Sequence, residues 1–239
     1  MMRFLVGLRK DSVRACGNEA RKAFSSLSPF VSLERRSPPI ERFKLERWFA
    51  DYEFEAPHQL CNSDCEAISQ MDLLHVADEE CRTLWNDLSL AYTQVKGHPA
   101  LLEEIAAHYE TDAIAPNHIQ TLAPEEGIYT AMRVLLRPGD TIVATWPGYQ
   151  SLMSVALAIG ARVVPWPVRE DSENGRFYFD VDDLKDIVQR ERPQGCVVNF
   201  PHNPTGALPT LKEWQHIGDI VEDSGAWIFR YAISFGGFS

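Results

Sequence analysis

From residue 118 onward, short apolar runs alternate with runs of helical spacing, and this alternation constrains the fold more than any other feature of the chain. HIQTLA (118–123) has strand character. EEGIYTAMRVLL (125–136) has helical spacing and is closed by RPGD. TIVAT (141–145) predicts a strand, YQSLMSVALAI (149–159) a helix closed by Gly160, and ARVVPW (161–166) a strand. VDDLKDIVQRE (181–191) predicts a helix, GCVVNF (195–200) a strand, residues 210–223 a helix and AWIFR (226–230) a strand. Strands separated by helices require crossover connections, so the pattern predicts an α/β fold with a mainly parallel sheet flanked by helices. Ligands in such sheets bind beyond the carboxyl ends of the strands. The stretch NFPHNPTGALPT (199–210) stands at one such end.

The 239 residues are 45% hydrophobic and 24% charged, with a formal net charge of -11. That balance fits a globular chain and disfavours nucleic acid or an anionic membrane as a partner, since both repel an acidic surface. The longest apolar stretch, LMSVALAIGARVVPWPV (152–168), contains Gly160, Arg162 and two prolines, and predicts a helix followed by a strand rather than a membrane span. The five cysteines, Cys16, Cys61, Cys65, Cys81 and Cys196, are odd in number and scattered, which predicts free thiols in a reducing compartment. CNSDC (61–65) lacks the second pair of ligands that a metal site needs.

Residues 1–36 are rich in Arg, Lys and Ser. They fit a disordered leader of a cytoplasmic protein, with a mitochondrial presequence, which Asp11 and Glu19 weaken, as the alternative. SPPIERF (37–43) marks the start of the folded body, 37–97 an N-terminal arm, and 98–230 the main domain, opened by a helix over 98–110 with Leu101, Leu102, Ile105 and Ala106 on one face. Within NFPHNPTG, Pro204 fixes φ, Gly206 permits unusual dihedrals and Asn203 bonds to nearby backbone, which suffices for a plain turn.

Four segments, YTQVKGHPALLEEIAAHY, TLAPEEGIYTAMRVLLRPGDTIVATWPGYQSL, IGARVVPWPV and NFPHNPTGALPT, occur in the order found in the class I/II aminotransferases. The chain resembles that family of fold-type-I enzymes, which depend on pyridoxal 5′-phosphate (PLP). FKLERWFADYEFEAPHQLCNSDCE resembles the subgroup that includes capreomycidine-synthase-like enzymes. The resemblance covers about residues 40–230 and implies amino-group transfer between an amino acid and a 2-oxo acid, in a homodimer. Asn203 would donate to the 3-oxygen of the cofactor ring, held still by the Pro-Thr-Gly turn. Tyr149 would lie against the face of the pyridine; as an isolated residue it fits a core tyrosine at a helix start. The backbone N–H groups of Glu125, Glu126 and Gly127 would cradle the phosphate at a helix N-terminus, with the two carboxylates turned away and with Pro124 offering no N–H. Tyr92 would reach the phosphate held by a neighbouring subunit, or is simply a loop tyrosine. His98 and His202 fit solvated or structural roles.

The resemblance also implies an aspartate that pairs with the pyridine nitrogen, followed by a tyrosine, and here those positions hold Tyr231 and Ser234. The six lysines, Lys10, Lys22, Lys44, Lys96, Lys185 and Lys212, lie outside any segment like the family's Ser-x-Ser-Lys, so no catalytic residue is assigned. The family's last sheet strands and C-terminal small domain have no counterpart. The expected fold is therefore an incomplete fold-type-I large domain, with a gap in the sheet between HIQTLA and AWIFR and an aberrant tail over 231–239. An alternative transcript, a shifted reading frame or a degenerate copy would produce it. Three functions are consistent with these features: an aminotransferase-family chain inactive in this form, a non-catalytic form that binds PLP weakly or pairs with a full-length homologue, and a PLP-dependent lyase or cyclase of the same fold. A Rossmann-type nucleotide binder lacks its glycine-rich fingerprint here.

Overall fold

A computed structural model describes residues 39–58, 60–61, 67–109, 111 and 113–232. The leader over 1–36, the cysteines Cys16 and Cys65, Ser234 and most of the 231–239 tail lie outside the described residues. From Ile40 onward the chain forms one unit. It opens with helix α1 (Lys44–Tyr52), followed by α2 (Gln70–Val76), α3 (Glu79–Asn86) and α4 (Pro99–Ala107). The region then continues through a 3-10 turn (Pro116–His118), α5 (Pro124–Leu135), β1 (Thr141–Trp146), α6 (Ser151–Ile159), β2 (Arg162–Asp171), β3 (Arg176–Phe179), α7 (Val181–Glu191), β4 (Gly195–Asn199), α8 (Leu211–Asp223) and β5 (Trp227–Tyr231).

The five strands form one sheet in the order β3-β2-β1-β4-β5. β1 pairs in parallel with β2 and β4, and β4 with β5, while β3 turns back antiparallel on β2. The expected mainly parallel sheet flanked by helices is thus observed. Its period-2 alternation divides the core in two. Ile142, Ala144 and Val197 pack with Ile128 and Met132 of α5 and with Leu152, Val155 and Ile159 of α6. Val143, Cys196 and Val198 pack on the opposite face with Leu184, Ile187 and Val188 of α7 and Ile217 and Val221 of α8.

Local signals explain the boundaries. Gly160 takes φ 95°, the left-handed cap that ends α6. α8 starts at a reciprocal capping box: Glu213 N–H donates to Thr210 Oγ1 at 3.3 Å, and Thr210 N–H donates to Glu213 Oε2 at 2.7 Å. β2 runs past the expected Trp166 to Asp171 because β3 covers Val168–Asp171. Pro165 and Pro167 lie short of that pairing, so on that side no ladder bond requires their missing N–H.

HIQTLA departs from expectation. Its first residue closes the 3-10 turn, and the rest joins no sheet. Ile119 (φ -107°, ψ 143°) and Ala123 (φ -67°, ψ 142°) have extended backbones, but no strand lies alongside among the described residues. The N–H of Thr121 donates instead to the Lys96 carbonyl at 2.8 Å. Strand character alone does not make a strand, because the ladder requires a partner. Among the described residues the expected interruption inside the sheet is therefore absent: the five strands are contiguous, and β5 is an edge.

Candidate functional site

The carboxyl ends of β1, β4 and β5 converge. β4 lies between the other two, and its last residue, Asn199, is fully buried. Asn199 Nδ2 donates to the carbonyls of Pro201 at 3.2 Å and Tyr231 at 3.1 Å, and its Oδ1 accepts from the Asn203 N–H at 2.9 Å. One amide thus fixes the start of the Asn-Pro-Thr-Gly turn and the end of β5. The backbone N–H of Phe200 makes a second bond to the Tyr231 carbonyl, at 3.1 Å.

His202 joins this loop to the one after β1. It is 2% exposed, with Nε2 2.7 Å from the Pro147 carbonyl oxygen and Nδ1 2.7 Å from Thr205 Oγ1. A carbonyl only accepts, so Nε2 carries the proton and Nδ1 accepts from the threonine hydroxyl. Of the two roles weighed for His202, the structural one is realised. The peptide bonds preceding Pro147, Pro201 and Pro204 are all cis.

Tyr149 follows β1 in the loop so held. Its ring and that of Tyr231 are stacked, with centroids 5.4 Å apart and planes 4° from parallel. Phe43 packs on Tyr149 in T-shaped geometry at 5.0 Å. Burial pushes the Tyr149 phenol far above its usual range, and the hydrogen bond and negative charge of Glu125 reinforce the shift. Tyr231 is raised for the same reasons, burial first and then the Glu125 charge.

The helix expected to cradle a phosphate is α5. Pro124, its first residue, has no N–H, and the Gly127 N–H already donates to the Ala123 carbonyl at 3.0 Å. Glu125 and Glu126 retain the two helix-start N–H groups without an intrahelical acceptor. The Glu125 carboxylate is engaged by side chains: its Oε1 accepts from Ser151 Oγ at 3.1 Å, and it hydrogen-bonds Tyr149. Glu125, Ser151, Tyr129, Phe43 and Glu41 line a cavity of about 260 Å³ between α5, α6 and the segment before α1.

Asn203 is half-buried, and its side-chain amide makes no hydrogen bond to the described residues. Tyr92 is fully exposed in the stretch between α3 and α4, without a ring contact among the described residues. The structure therefore brings together Glu125, Tyr149 and, through Asn199 and His202, the Asn203 turn, and it leaves Tyr92 apart. Sequence reasoning missed Asn199, Ser151 and Phe43. Asn199 carried a signal: an amide inside an apolar strand run must find partners. Among the described residues no cluster of metal-ligating side chains occurs, and no helix is long and apolar enough to cross a membrane.

Residues 59–230 match the family described as aminotransferase class I and II. The chain belongs to that family. Capreomycidine synthase from Streptomyces vinaceus is 42% identical over 113 residues, which cover 46% of this chain and 28% of the synthase. An arginine–pyruvate transaminase from Pseudomonas aeruginosa is 31% identical over 141 residues, 57% of this chain and 35% of the transaminase. A PLP-dependent aminotransferase from Streptococcus suis shares the fold, with a TM-score of 0.70 at 22% identity over 81% of this chain and 51% of that one. The chain spans about half or less of the length of these aminotransferase-family relatives.

Proposed function

We propose that this chain carries the cofactor platform of a PLP-dependent aminotransferase, whose reaction moves an amino group between an amino acid and a 2-oxo acid, and that in its present arrangement it does not perform that reaction. Tyr149 and Asn203, in the loops that follow the neighbouring parallel strands β1 and β4 and joined through His202, support the platform reading. With the Tyr231 ring moved off Tyr149, their placement would suit a flat ring between a phenol and an amide donor that is unbonded among the described residues. The N–H groups of Glu125 and Glu126 suit an anion at the start of α5. PLP, when bound in this family, serves as an electron sink at the substrate carbon.

One observation carries the inactive reading: at the end of β5, where the family pattern places an acid, stands Tyr231, with its ring against Tyr149. The residues as arranged do not fit the cofactor ring, because a second ring already covers a face of Tyr149 and the Glu125 carboxylate stands beside it. Nor does any described lysine make a hydrogen bond or ion pair with Tyr149, Asn203 or Tyr231. Lys44 pairs with Glu41 at 2.7 Å, Lys96 donates to the Asn117 carbonyl at 2.6 Å, and Lys185 and Lys212 are exposed on α7 and α8. No reaction step is therefore assigned to this chain. Leu90, Tyr92 and Val95 are almost fully exposed, and a second copy or a full-length homologue is proposed as their cover.

The test is to incubate the chain with PLP, reduce it with borohydride and map the peptides by mass, alongside an amino-transfer assay over a panel of amino acids with a 2-oxo acid. No pyridoxyl-lysine and no transfer are expected; a labelled lysine together with turnover would overturn the inactive reading. A second reading, a PLP-dependent lyase or cyclase of the same fold, is favoured by the similarity to a relative named as a synthase rather than a transaminase, 42% identical over 113 residues.

A further inference from the structure

We infer that Tyr231 is a built-in plug: its ring occupies, on Tyr149, the slot that would otherwise seat a flat phosphorylated aromatic, so that such a ligand binds only when this ring is displaced. The inference rests on the reading of Tyr149 and Asn203 as a ring platform.

The geometry is specific. Tyr149 follows β1 and Tyr231 ends β5, so for their rings to meet they must reach across the end of β4, which separates the two strands. They meet almost parallel, at 4° and 5.4 Å, in the offset stack that a planar ligand would also adopt. A face of Tyr149 covered in this way cannot hold a second ring. The backbone of Tyr231 is fixed, its carbonyl accepting from Asn199 Nδ2 and from the Phe200 N–H at 3.1 Å each. Its hydroxyl makes no hydrogen bond to the described residues. The ring is thus delivered by two backbone tethers but held in the slot by stacking and burial alone, and rotation about its side-chain bonds would clear it. The turn that carries Asn203 is tied to the same Asn199, and the Asn203 side-chain amide makes no hydrogen bond to the described residues.

Chemistry selects the ligand class. An aromatic face and a free amide suit a heteroaromatic ring with an oxygen substituent, and two helix-start N–H groups suit a phosphate attached to it. PLP is the probe; inorganic phosphate, which shares the anion but has no ring, is the control.

Binding is measured by equilibrium dialysis with the full chain, for wild type, Tyr231→Phe, Tyr231→Ala and the double variant Tyr231→Ala/Asn203→Ala. Removing a stacked ring should tighten PLP binding about tenfold, equivalent to about 1.4 kcal/mol. Tyr231→Phe, which keeps the ring, should bind like wild type, and phosphate should bind all variants alike. If Tyr231→Ala loses its cooperative unfolding transition, Tyr231→Val, which retains strand propensity, serves in its place. Equal PLP affinity in wild type and the ringless variant, or no binding in either, would overturn the plug. If that shared affinity is abolished by Asn203→Ala, the platform reading survives without the plug. A tenfold gain that Asn203→Ala leaves untouched places the ring elsewhere and overturns the platform as well.

Discussion

His202 Nε2 lies 2.7 Å from the carbonyl oxygen of Pro147, and this contact joins the loop that carries Tyr149 to the turn that carries Asn203. His202 also packs on Phe179, with ring centroids 4.9 Å apart. Truncation to alanine leaves the Pro147 carbonyl without its donor and a hole beside Phe179. His202→Ala should therefore cost about 2–4 kcal/mol in denaturant unfolding. Burial holds the imidazole below its ordinary value, against an opposing pull from the Pro147 carbonyl. The folded chain thus keeps this ring neutral at pH values where the unfolded chain has already protonated it. The stability it contributes is complete above about pH 6.5 and declines as pH falls towards the folded value. Unfolding curves between pH 8 and 5 should be steeper for wild type than for His202→Ala, by at most about 1.4 kcal/mol per pH unit.

Gly195 opens β4 directly beside Trp227 of β5, its register partner. A Cβ built on Gly195 would clash with the Trp227 indole ring. Gly195→Ala should destabilise the chain by about 1–3 kcal/mol through overpacking. Pairing it with Trp227→Val should recover part of the loss, and a double-mutant cycle measures the coupling. Purely additive costs would show that the indole moves aside freely.

Much of this architecture was legible because two periodicities carry it. The helix over 181–191 and the strands at 141, 195 and 227 follow from apolar spacing, and Gly160 and the Thr210–Glu213 pair mark boundaries by local chemistry. HIQTLA was misread because strand formation depends on a neighbour that spacing does not encode. The site was legible as positions rather than contacts. Tyr149 and Asn203 could each be placed beyond the end of a strand, but the tie between them runs through Asn199 and His202, which a linear sequence separates from Tyr149 by about fifty residues. The meeting of Tyr231 with Tyr149 depends on sheet order and side-chain direction, neither of which is local.

Thiol reactivity should divide by environment. Cys196 is buried in β4, and burial pushes its thiol up to about 12. It should resist iodoacetamide in the native chain and react only on unfolding, read by peptide mapping. Cys61 and Cys81 are exposed. The Cys81 thiol is raised chiefly by its hydrogen bond to the Asp78 carboxylate. Asp78 also caps α3, accepting from the Cys81 N–H at 2.8 Å. Asp78→Asn retains the cap and removes the charge, so at fixed pH Cys81 should alkylate faster in that variant. An unchanged rate would locate the control of this thiol elsewhere.

Asn199 offers the sharpest stability test, because one side chain serves both halves of the site. Its Nδ2 donates to Pro201 and Tyr231, its Oδ1 accepts from Asn203, and its own N–H donates to Thr145 Oγ1 at 3.2 Å. Aspartate is nearly isosteric but has no donor when ionised, so Asn199→Asp would set a buried carboxylate against two carbonyl oxygens. The expected cost is about 2–4 kcal/mol at neutral pH, from two lost bonds and an uncompensated charge. Acid should narrow the gap between this variant and wild type, since a protonated carboxyl regains one donor and sheds its charge. The burial that makes the charge costly raises the pH at which this recovery begins above the ordinary aspartate value of about 3.9. Unfolding midpoints of the two proteins from pH 8 to pH 4 provide the measurement. A gap that stays constant across that range would mean that the carboxylate has found a donor, and that Asn199 does not set the position of Tyr231.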